Sequence, residues 1–303
     1  MISDTYTLQK VIGRGGSSKV FSAIDREGHT YALKTIRRDK EYTSEMESMM
    51  VMREYMVMMH IGEHPNIIKH YSCNPEGDNQ TPCYNVMEYC QNGSLSSIIK
   101  KSGAIEENIC RFMFLQLAAA VQHLHSKHFC HLDLKLENTF LDEHFNLKLG
   151  DFGSGLSLAN TNDLTSKKVG TPLYIAPEVK QDIYNGLKAD IYSLGVTLCL
   201  MLLGELPDTS AFQAEKSTVG SSDIEGDSDV FMDESNYEKL AYLSNSSKDL
   251  LSKMMDLNPD SRPSIDQILA HEWVTTKDAS GMEFIVFQEM QARTDFISAD
   301  KEM

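Results

Sequence analysis

The sequence has 303 residues, 41% of them hydrophobic and 24% charged, which is enough to build a large buried core. Acidic residues outnumber Lys and Arg by 44 to 28, and the net charge of −16 argues against nucleic acid or an anionic membrane as the primary partner. The amino terminus has no apolar signal region, no run of 18 apolar residues occurs, and the six cysteines form no C-x-x-C pair. We therefore expect a protein with reduced thiols in the cytoplasm or, alternatively, in the nucleus.

The chain begins with short apolar runs broken by glycines, from Tyr6 to Ile36, and these predict antiparallel β-strands. The first break is rich in small residues and comprises Ile12, Gly13, Arg14, Gly15, Gly16, Ser17, Ser18, Lys19 and Val20. Glycine at such a turn lets backbone N–H groups approach a phosphate closely, although a simple hairpin loop would show the same pattern.

Lys34 follows Ala32 and Leu33 in an apolar run, where a lysine is costly unless an anion satisfies it. The alternative is an edge-strand lysine whose amine reaches solvent. Because the glycine-rich turn precedes this strand, we favour a lysine that binds phosphate.

Residues 43–61 contain neither Gly nor Pro and predict a helix. Seven methionines crowd this helix, and we interpret them as core packing by an adaptable side chain. Glu45 and Glu47 fit the first turn of the helix. Glu54 stands further along it, eleven residues before Pro65.

Residues 84–90 predict a strand that ends in the turn Gln91-Asn92-Gly93, whether or not a ligand binds there. The stretch from His131 to Gly153 holds two acids, Asp133 and Asp151, with Lys135 and Asn138 between them. The spacing is too irregular for one helix face and predicts a loop followed by a short hairpin that turns at residues 144–146. Asn138 and Asp151 offer the oxygen ligands that Mg²⁺ prefers.

The remaining chain is predicted to be mainly helical, with one helix at 106–127 and a buried central helix at 188–203. Seven acids and no Lys or Arg occur between Ser217 and Glu238, which predicts an acidic surface loop. Another helix is expected to start near Ser246, and residues 282–290 predict a docking strand or helix in a polar tail.

Together these motifs resemble those of a eukaryotic protein kinase of the serine/threonine type. Gly13, Gly15 and Val20 match G-x-G-x-x-G-x-V, with Ser18 at the third glycine, and residues 31–34 match the V-A-I-K strand. Residues 131–138 and 151–153 match H-R-D-x-x-x-x-N and D-F-G, except that Leu132 replaces arginine, and Ala176-Pro177-Glu178 closes the activation segment.

The resemblance covers about residues 6–274 and implies an α+β fold of two lobes. It places a small antiparallel sheet with one helix at 1–89 and a larger helical lobe at 90–274. The helical lobe contains the acidic insertion at about 209–238, and a tail follows at 275–303.

The resemblance also implies ATP and Mg²⁺ as cofactors and protein substrates as partners, with no nucleic acid and no membrane. Asp133, Lys135, Lys34 and Glu54 would be the catalytic residues, with Asp133 accepting the proton of the attacking hydroxyl. Glu54 would pair with Lys34, because its distance from Pro65 is close to the family's usual spacing. Asn138 and Asp151 would bind the metal. The nucleotide would contact Ile12, Gly13, Gly15, Gly16, Ser17, Ser18, Val20, Ala32, Lys34, Met87, Glu88, Cys90, Phe140 and Asp151.

The alternative function is a pseudokinase that scaffolds or regulates by binding. Such proteins usually lack one of four residues that are all present here, namely Lys34, Asp133, Asn138 and Asp151. A kinase of small molecules would share the fold, but Ala176-Pro177-Glu178 and the Gly170-Thr171 loop argue against it.

The closing run at 250–274 resembles the branch of calcium/calmodulin-dependent and AMP-activated kinases, while Lys135 and Thr171 match the serine/threonine type. Leu132 cannot bind a phosphate on the activation segment, and Lys167 stands where the usual phosphoacceptor lies. We therefore expect activity that does not depend on phosphorylation of this segment, with Thr165 and Ser166 as the alternative phosphorylation sites. Separately, we expect a partner at the acidic loop or the tail.

Overall fold

The computed structural model describes residues 5–16, 18–36, 43–77, 82–181, 183–205, 241–276 and 281–299. Ser17 and the acidic segment at 209–238, both singled out in the sequence, lie outside the described residues. The chain divides into two compact units, Met1–Gly93 with Phe140–Gly153, and Ser94–Thr139 with Ser154–Met303. The hairpin that follows the catalytic loop is thus part of the first unit, which a division in chain order does not anticipate.

The first unit is built on an antiparallel sheet of five strands in the order β1-β2-β3-β5-β4. Its strands are β1 (Thr7–Arg14), β2 (Ser18–Ile24), β3 (Thr30–Ile36), β4 (His70–Asn74) and β5 (Tyr84–Glu88). The register of β3 places Ala32 opposite Met87 and Lys34 opposite Asn85. The predicted strands are confirmed, and the central strand β3 carries the predicted phosphate-binding lysine.

One helix, α1 (Ser44–Ile61), packs on this sheet, as the absence of Gly and Pro predicted. Thr43 caps its first turn, and Gly62 ends it with a φ of 77°. The buried side of the helix carries Glu47, Val51, Glu54, Met58 and Ile61.

The interpretation of its methionines as core residues is wrong for most of them. Met58 is buried, but Met49 is 71% exposed and Met56 is 58% exposed, and Met46, Met52 and Met59 are exposed as well. The exposed methionines recur every three or four residues and therefore lie on the side opposite the buried residues. The sequence shows apolar residues on both sides of the helix, and periodicity alone could not separate the two.

The second unit is mainly helical, which confirms the predicted α+β class. Its helices are α2 (Leu95–Ser102), α3 (Glu107–Ser126), α4 (Gly186–Leu203), α5 (Asn245–Met254), α6 (Ile265–Leu269), α7 (Glu272–Thr275) and α8 (Met282–Ala299). Two pairs of short strands complete the described elements. β6 (Phe129–Cys130) pairs with β9 (Leu156–Ser157), and β7 (Thr139–Leu141) pairs with β8 (Leu147–Leu149), which confirms the predicted hairpin.

The core of the second unit lies around α3 and α4. Helix α4 is buried over nearly its whole length, including Asp190 and Thr197. Its length and composition would also allow a membrane crossing, but 83% of it is buried inside the protein, as in the core helix of a globular unit. Trp273 on α7 is fully buried against Phe114 of α3, and its indole N–H donates to Glu107.

The tail forms a helix rather than a strand. Helix α8 packs on α2 and α3, and Arg293 fixes it there. The guanidinium donates to the backbone oxygens of Ser102, Gly103 and Ala104, just where α2 ends. These carbonyl groups have no partner within α2, so Arg293 satisfies them at the negative end of the helix dipole.

Candidate active site

Lys34 is the centre of the polar cluster in the first unit. Its Nζ lies 2.8 Å from Glu54 Oε1 on α1 and 2.8 Å from Asp151 Oδ1. The structure thus pairs Lys34 with Glu54, the carboxylate selected from the sequence, and not with Glu45 or Glu47 of the first helical turn.

The charge of Lys34 is maintained against its burial. Burial by itself lowers the pKa of this amine, but the charges of Glu54 and Asp151 outweigh it and raise the pKa above 10.5. A permanently charged lysine that is held by two carboxylates can exchange one of them for a phosphate oxygen.

The glycine-rich turn lies between β1 and β2, where Gly13 is opposite Val20. Gly15 donates its N–H to the Ser18 carbonyl at 3.0 Å, and a Cβ at Gly15 would come within 2.8 Å of Ser18 Oγ. Ser18 is buried, so the residue at the third glycine position of the family pattern tightens the turn. Gly16 has open space around it, and Ile12 is exposed on β1.

The residues expected to surround the adenine ring come together in one apolar cluster of the first unit. Its buried members are Ala32, Ile68, Met87 and Cys90, and the partly buried Val20, Tyr89 and Phe140 pack against them. Glu88 points its carboxylate to Lys148 at 2.7 Å, and burial raises the pKa of the Cys90 thiol to about 12. Cys90 can therefore contribute its backbone and its volume, but not a reactive thiolate.

The second unit holds the other polar cluster, centred on Asp133. Lys135 Nζ donates to Asp133 Oδ2 and to Thr171 Oγ1, both at 2.7 Å. The Thr171 hydroxyl in turn donates to Asp133 Oδ1 at 2.8 Å. Asn138 donates its amide nitrogen to the backbone oxygen and to Oδ2 of Asp133, so its amide oxygen is the atom that can serve as a metal ligand.

The backbone of this catalytic loop is held from α4 by Asp190. The fully buried carboxylate of Asp190 accepts the N–H of His131 at 2.7 Å and of Leu132 at 2.8 Å. His125 reaches the same carboxylate at 3.1 Å. These bonds stabilise Leu132 in the left-handed region, with a φ of 62°.

The activation segment, which follows in the second unit, is held by contacts of its own side chains. Lys167 Nζ donates to the carbonyl oxygens of Ser154 at 2.6 Å and Gly155 at 3.1 Å. Thr165 exchanges two backbone hydrogen bonds with Tyr184, whose hydroxyl donates to the Lys167 carbonyl. At the end of the segment, Glu178 pairs with Arg262 through two bonds of 2.5 and 2.8 Å.

Sequence reasoning missed several residues that position the selected ones. Asn85 of β5 donates to Glu54 Oε2 at 3.4 Å, and Tyr174 donates to Glu137 at 3.0 Å. The sequence gives no signal for Asn85, since a polar residue in a strand usually faces solvent. It gives none for Tyr174 either, which lies in a turn distant from Glu137 in the chain. His125 could have been suspected from its place on the apolar side of a predicted helix.

Comparison with known proteins agrees with this arrangement. A family model described as the protein kinase domain matches residues 6–274. The cell cycle serine/threonine-protein kinase CDC5/MSD2 of Saccharomyces cerevisiae is 32% identical over 86% of this chain and 35% of its own length. CBL-interacting serine/threonine-protein kinase 15 of Arabidopsis thaliana is 34% identical over 88% of this chain and 60% of its own length.

A third relative, the probable serine/threonine-protein kinase MARK-B of Dictyostelium discoideum, is 34% identical over 89% of this chain. The matches span about a third to three fifths of the length of these curated relatives. The family model covers most of the chain, and its members use ATP and Mg²⁺. The chain therefore belongs to the protein kinase family and carries a kinase domain of the serine/threonine type.

Proposed function

We propose that the chain transfers the γ-phosphoryl group of ATP to serine or threonine residues of proteins. The observation that carries this proposal is the double pairing of Lys34 with Glu54 and Asp151, each at 2.8 Å. A lysine on a flexible stem has many rotamers, and the carboxylate of Glu54 selects the one that can meet a phosphate. The serine/threonine kinases to which the chain is similar support the same reaction.

The first unit supplies the groups for the nucleotide. Backbone amides of the glycine-rich turn and the Lys34 amine hold phosphate oxygens, while the apolar cluster around Ala32 and Met87 takes the base. Asp151, with its side chain 46% exposed, is assigned as an oxygen ligand of Mg²⁺. Bound Mg²⁺ neutralises charge on the phosphates, as in other phosphoryl-transfer enzymes.

The second unit supplies the groups for the attacking hydroxyl. Asp133 is assigned as its proton acceptor, and Lys135 and Thr171 each donate a hydrogen bond to one of its two carboxylate oxygens. Lys135 also places positive charge next to the reacting hydroxyl. The Asn138 side-chain oxygen is assigned as a ligand of Mg²⁺.

A direct assay separates this function from that of a scaffolding pseudokinase. The purified chain is incubated with γ-labelled ATP and mixed protein substrates, with Mg²⁺ or with a chelator, and the labelled amino acids are identified. We expect phosphoserine or phosphothreonine that disappears when Mg²⁺ is chelated. Nucleotide binding without transfer to any protein would contradict the proposal and favour the scaffold.

We further propose that activity does not require phosphorylation of the activation segment. The Lys167 amine already donates hydrogen bonds to the Ser154 and Gly155 carbonyls. These bonds hold the activation segment together without a phosphate. Thr165 is buried and its Oγ accepts the Lys167 N–H, whereas Thr161 and Ser166 are exposed. Leu132 is buried and offers no cation for a phosphate.

Phosphatase treatment tests this independence. After mass spectrometry has shown Thr161, Thr165, Ser166 and Thr171 to be unmodified, kcat is expected to stay within a few-fold of the untreated value. A hundredfold loss would show that a phosphate is needed. The Lys167→Met variant should lose activity in both samples, because the segment then lacks its internal cation.

Two further features are proposed from the sequence alone: the branch of the kinase family to which the chain belongs, and the place where a partner protein binds. The closing run at 250–274 supports the branch of calcium/calmodulin-dependent and AMP-activated kinases. The charge of the acidic segment supports a basic partner there, and the tail is the alternative place. Replacing residues 217–236 by a Gly/Ser linker should weaken binding of a protein partner and leave peptide phosphorylation within a few-fold.

The chain is further proposed to reside in the cytoplasm or the nucleus. All six cysteines are thiols rather than disulfides, which supports a reducing compartment. Microscopy of the tagged full-length protein tests this, and accumulation in the secretory pathway would contradict it.

A further inference from the structure

The carboxylate of Glu137 is shared by three side chains of the second unit. Its Oε1 accepts hydrogen bonds from Ser96 Oγ at 2.9 Å and from Lys100 Nζ at 3.1 Å. Its Oε2 accepts the hydroxyl of Tyr174 at 3.0 Å. Ser96 and Lys100 are one helical turn apart on α2, so this helix brings a cation to the carboxylate.

Glu137 lies beside the groups that we assign to the substrate hydroxyl, and the inference rests on that assignment. Tyr174 donates its backbone N–H to the Thr171 carbonyl at 2.9 Å, and the Thr171 side chain donates to Asp133 at 2.8 Å. Glu137 also follows Asp133 closely in the chain, within the same catalytic loop. We take a polypeptide whose hydroxyl reaches Asp133 to pass the Glu137 carboxylate, whose side chain is 40% exposed.

The negative charge of the Glu137 carboxylate is already paired with the Lys100 ammonium within the protein. Burial alone would raise the pKa of Glu137, but hydrogen bonds from Lys100, Ser96 and Tyr174 outweigh it and lower the pKa. The carboxylate is thus an anion at neutral pH. The Lys100 side chain is 70% exposed, so its amine stands where a cation of a substrate would approach the same oxygen.

We propose that Lys100 is a specificity-determining residue, because its ammonium occupies the Glu137 carboxylate and selects against substrates with a basic residue at that position. An arginine of the substrate would have to displace Lys100 or bring a second positive charge beside it. A neutral or acidic residue meets no such cost.

Peptides with a single arginine moved along a serine-containing sequence test this proposal. Each is compared with its alanine counterpart in the wild type and in the Lys100→Ala, Lys100→Glu and Lys101→Glu variants. The readouts are kcat/KM and, independently of phosphoryl transfer, the dissociation constant from fluorescence anisotropy. Lys101→Glu is the matched control, because it changes the charge of the next exposed residue on α2.

The wild type should show little gain from arginine at any position. Lys100→Ala should increase the arginine preference at one position by about two- to fivefold, the range expected for an exposed ion pair, and Lys100→Glu by more. The control should show no such gain. Adding Glu137→Gln to Lys100→Glu should reduce the gained preference, which a merely structural role of Lys100 would not predict.

An unchanged arginine preference in both Lys100 variants, or an equal gain in the Lys101 control, would overturn the proposal. A wild type that transfers no phosphoryl group would contradict the proposed function instead. In that case the anisotropy measurements still decide whether Lys100 controls the binding of basic peptides.

Discussion

Four non-glycine residues of the described chain have a positive φ, and two of them, Leu132 and Asp151, lie in the segments that carry the proposed chemistry. Among the described residues, Leu132 and Asp151 have φ values of 62° and 61°, which side chains other than glycine rarely adopt. Asp190 holds the first through two short bonds to the loop backbone. A strained conformation persists only where its surroundings fix it, and a loop that must aim Asp133 is such a place.

Gly170 tests whether the loop geometry matters for activity. It has a φ of 111°, and a Cβ there would lie 2.9 Å from the Leu132 carbonyl oxygen. Gly170→Ala should therefore lower the free energy of unfolding by about 1–3 kcal/mol or more. It should also lower kcat, since Thr171 is the next residue. Gly28→Ala is the control, because Gly28 has a φ of 91° but open space, and it should leave kcat unchanged.

His70 makes stability depend on pH. Burial and then the charge of Lys34 lower its pKa to about 3, and among the described residues no hydrogen-bond partner reaches its Nδ1. The unfolded chain binds a proton near pH 6.5 and the folded chain only near pH 3, so stability is lost as pH falls through this window.

From pH 7 to pH 5 this group should account for roughly 2 kcal/mol of lost unfolding free energy. The His70→Leu variant should lose that part of the pH dependence and keep its stability at pH 7. Urea unfolding at the two pH values measures it. A slope identical to that of the wild type would show that His70 is not responsible.

At the scale of elements, helix α1 combines a buried functional side with an exposed apolar one. Glu54 and Met58 face the unit, while Met49 and Met56 face solvent. The helix therefore cannot be explained by amphipathicity alone, and its place is fixed by the Lys34 pair and by the few residues that it buries.

Two substitutions of methionine within α1 test this division. Met58→Ala should cost about 2–5 kcal/mol of unfolding free energy, because Met58 is 4% exposed. Met49→Gln should change stability by less than about 0.5 kcal/mol. Equal losses for the two variants would contradict the burial described here.

Much of this architecture could be predicted from the sequence, for reasons that differ between elements. Strand β3 and helix α4 are recognisable because each is a largely apolar run with few charged residues, which is typical of a buried strand or helix. The partners of the charged residues in these elements could be predicted only from the spacing of motifs in a known family. The Lys100 contact could not be predicted, since residues 100 and 137 are distant in the chain and each alone resembles a surface charge.

At the scale of the whole molecule, the second unit depends on a buried ion pair that joins distant parts of the chain. Arg262 and Glu178 are 2% and 3% exposed, and Arg262 also donates to backbone oxygens of Asp256 and Lys188. Removing one partner leaves the other charged and buried, which is far more costly than losing an exposed pair.

Arg262→Ala should therefore lower the unfolding free energy by about 3–5 kcal/mol. Lys253→Ala is the control, because it removes an exposed pair with Asp249 and should cost less than about 1 kcal/mol. Thermal or urea unfolding of both variants measures the difference. Similar small losses would show that the buried pair does not stabilise the unit.

The proposed reaction depends most directly on Asp133, the group assigned to the hydroxyl of the substrate. The most direct measurement compares the rate of γ-phosphoryl transfer to a protein substrate, and the affinity for ATP, between the wild type and Asp133→Asn. We predict that kcat falls by orders of magnitude while nucleotide affinity stays nearly unchanged, because Asp133 is assigned to the hydroxyl and not to ATP. Wild-type turnover in Asp133→Asn would contradict the account.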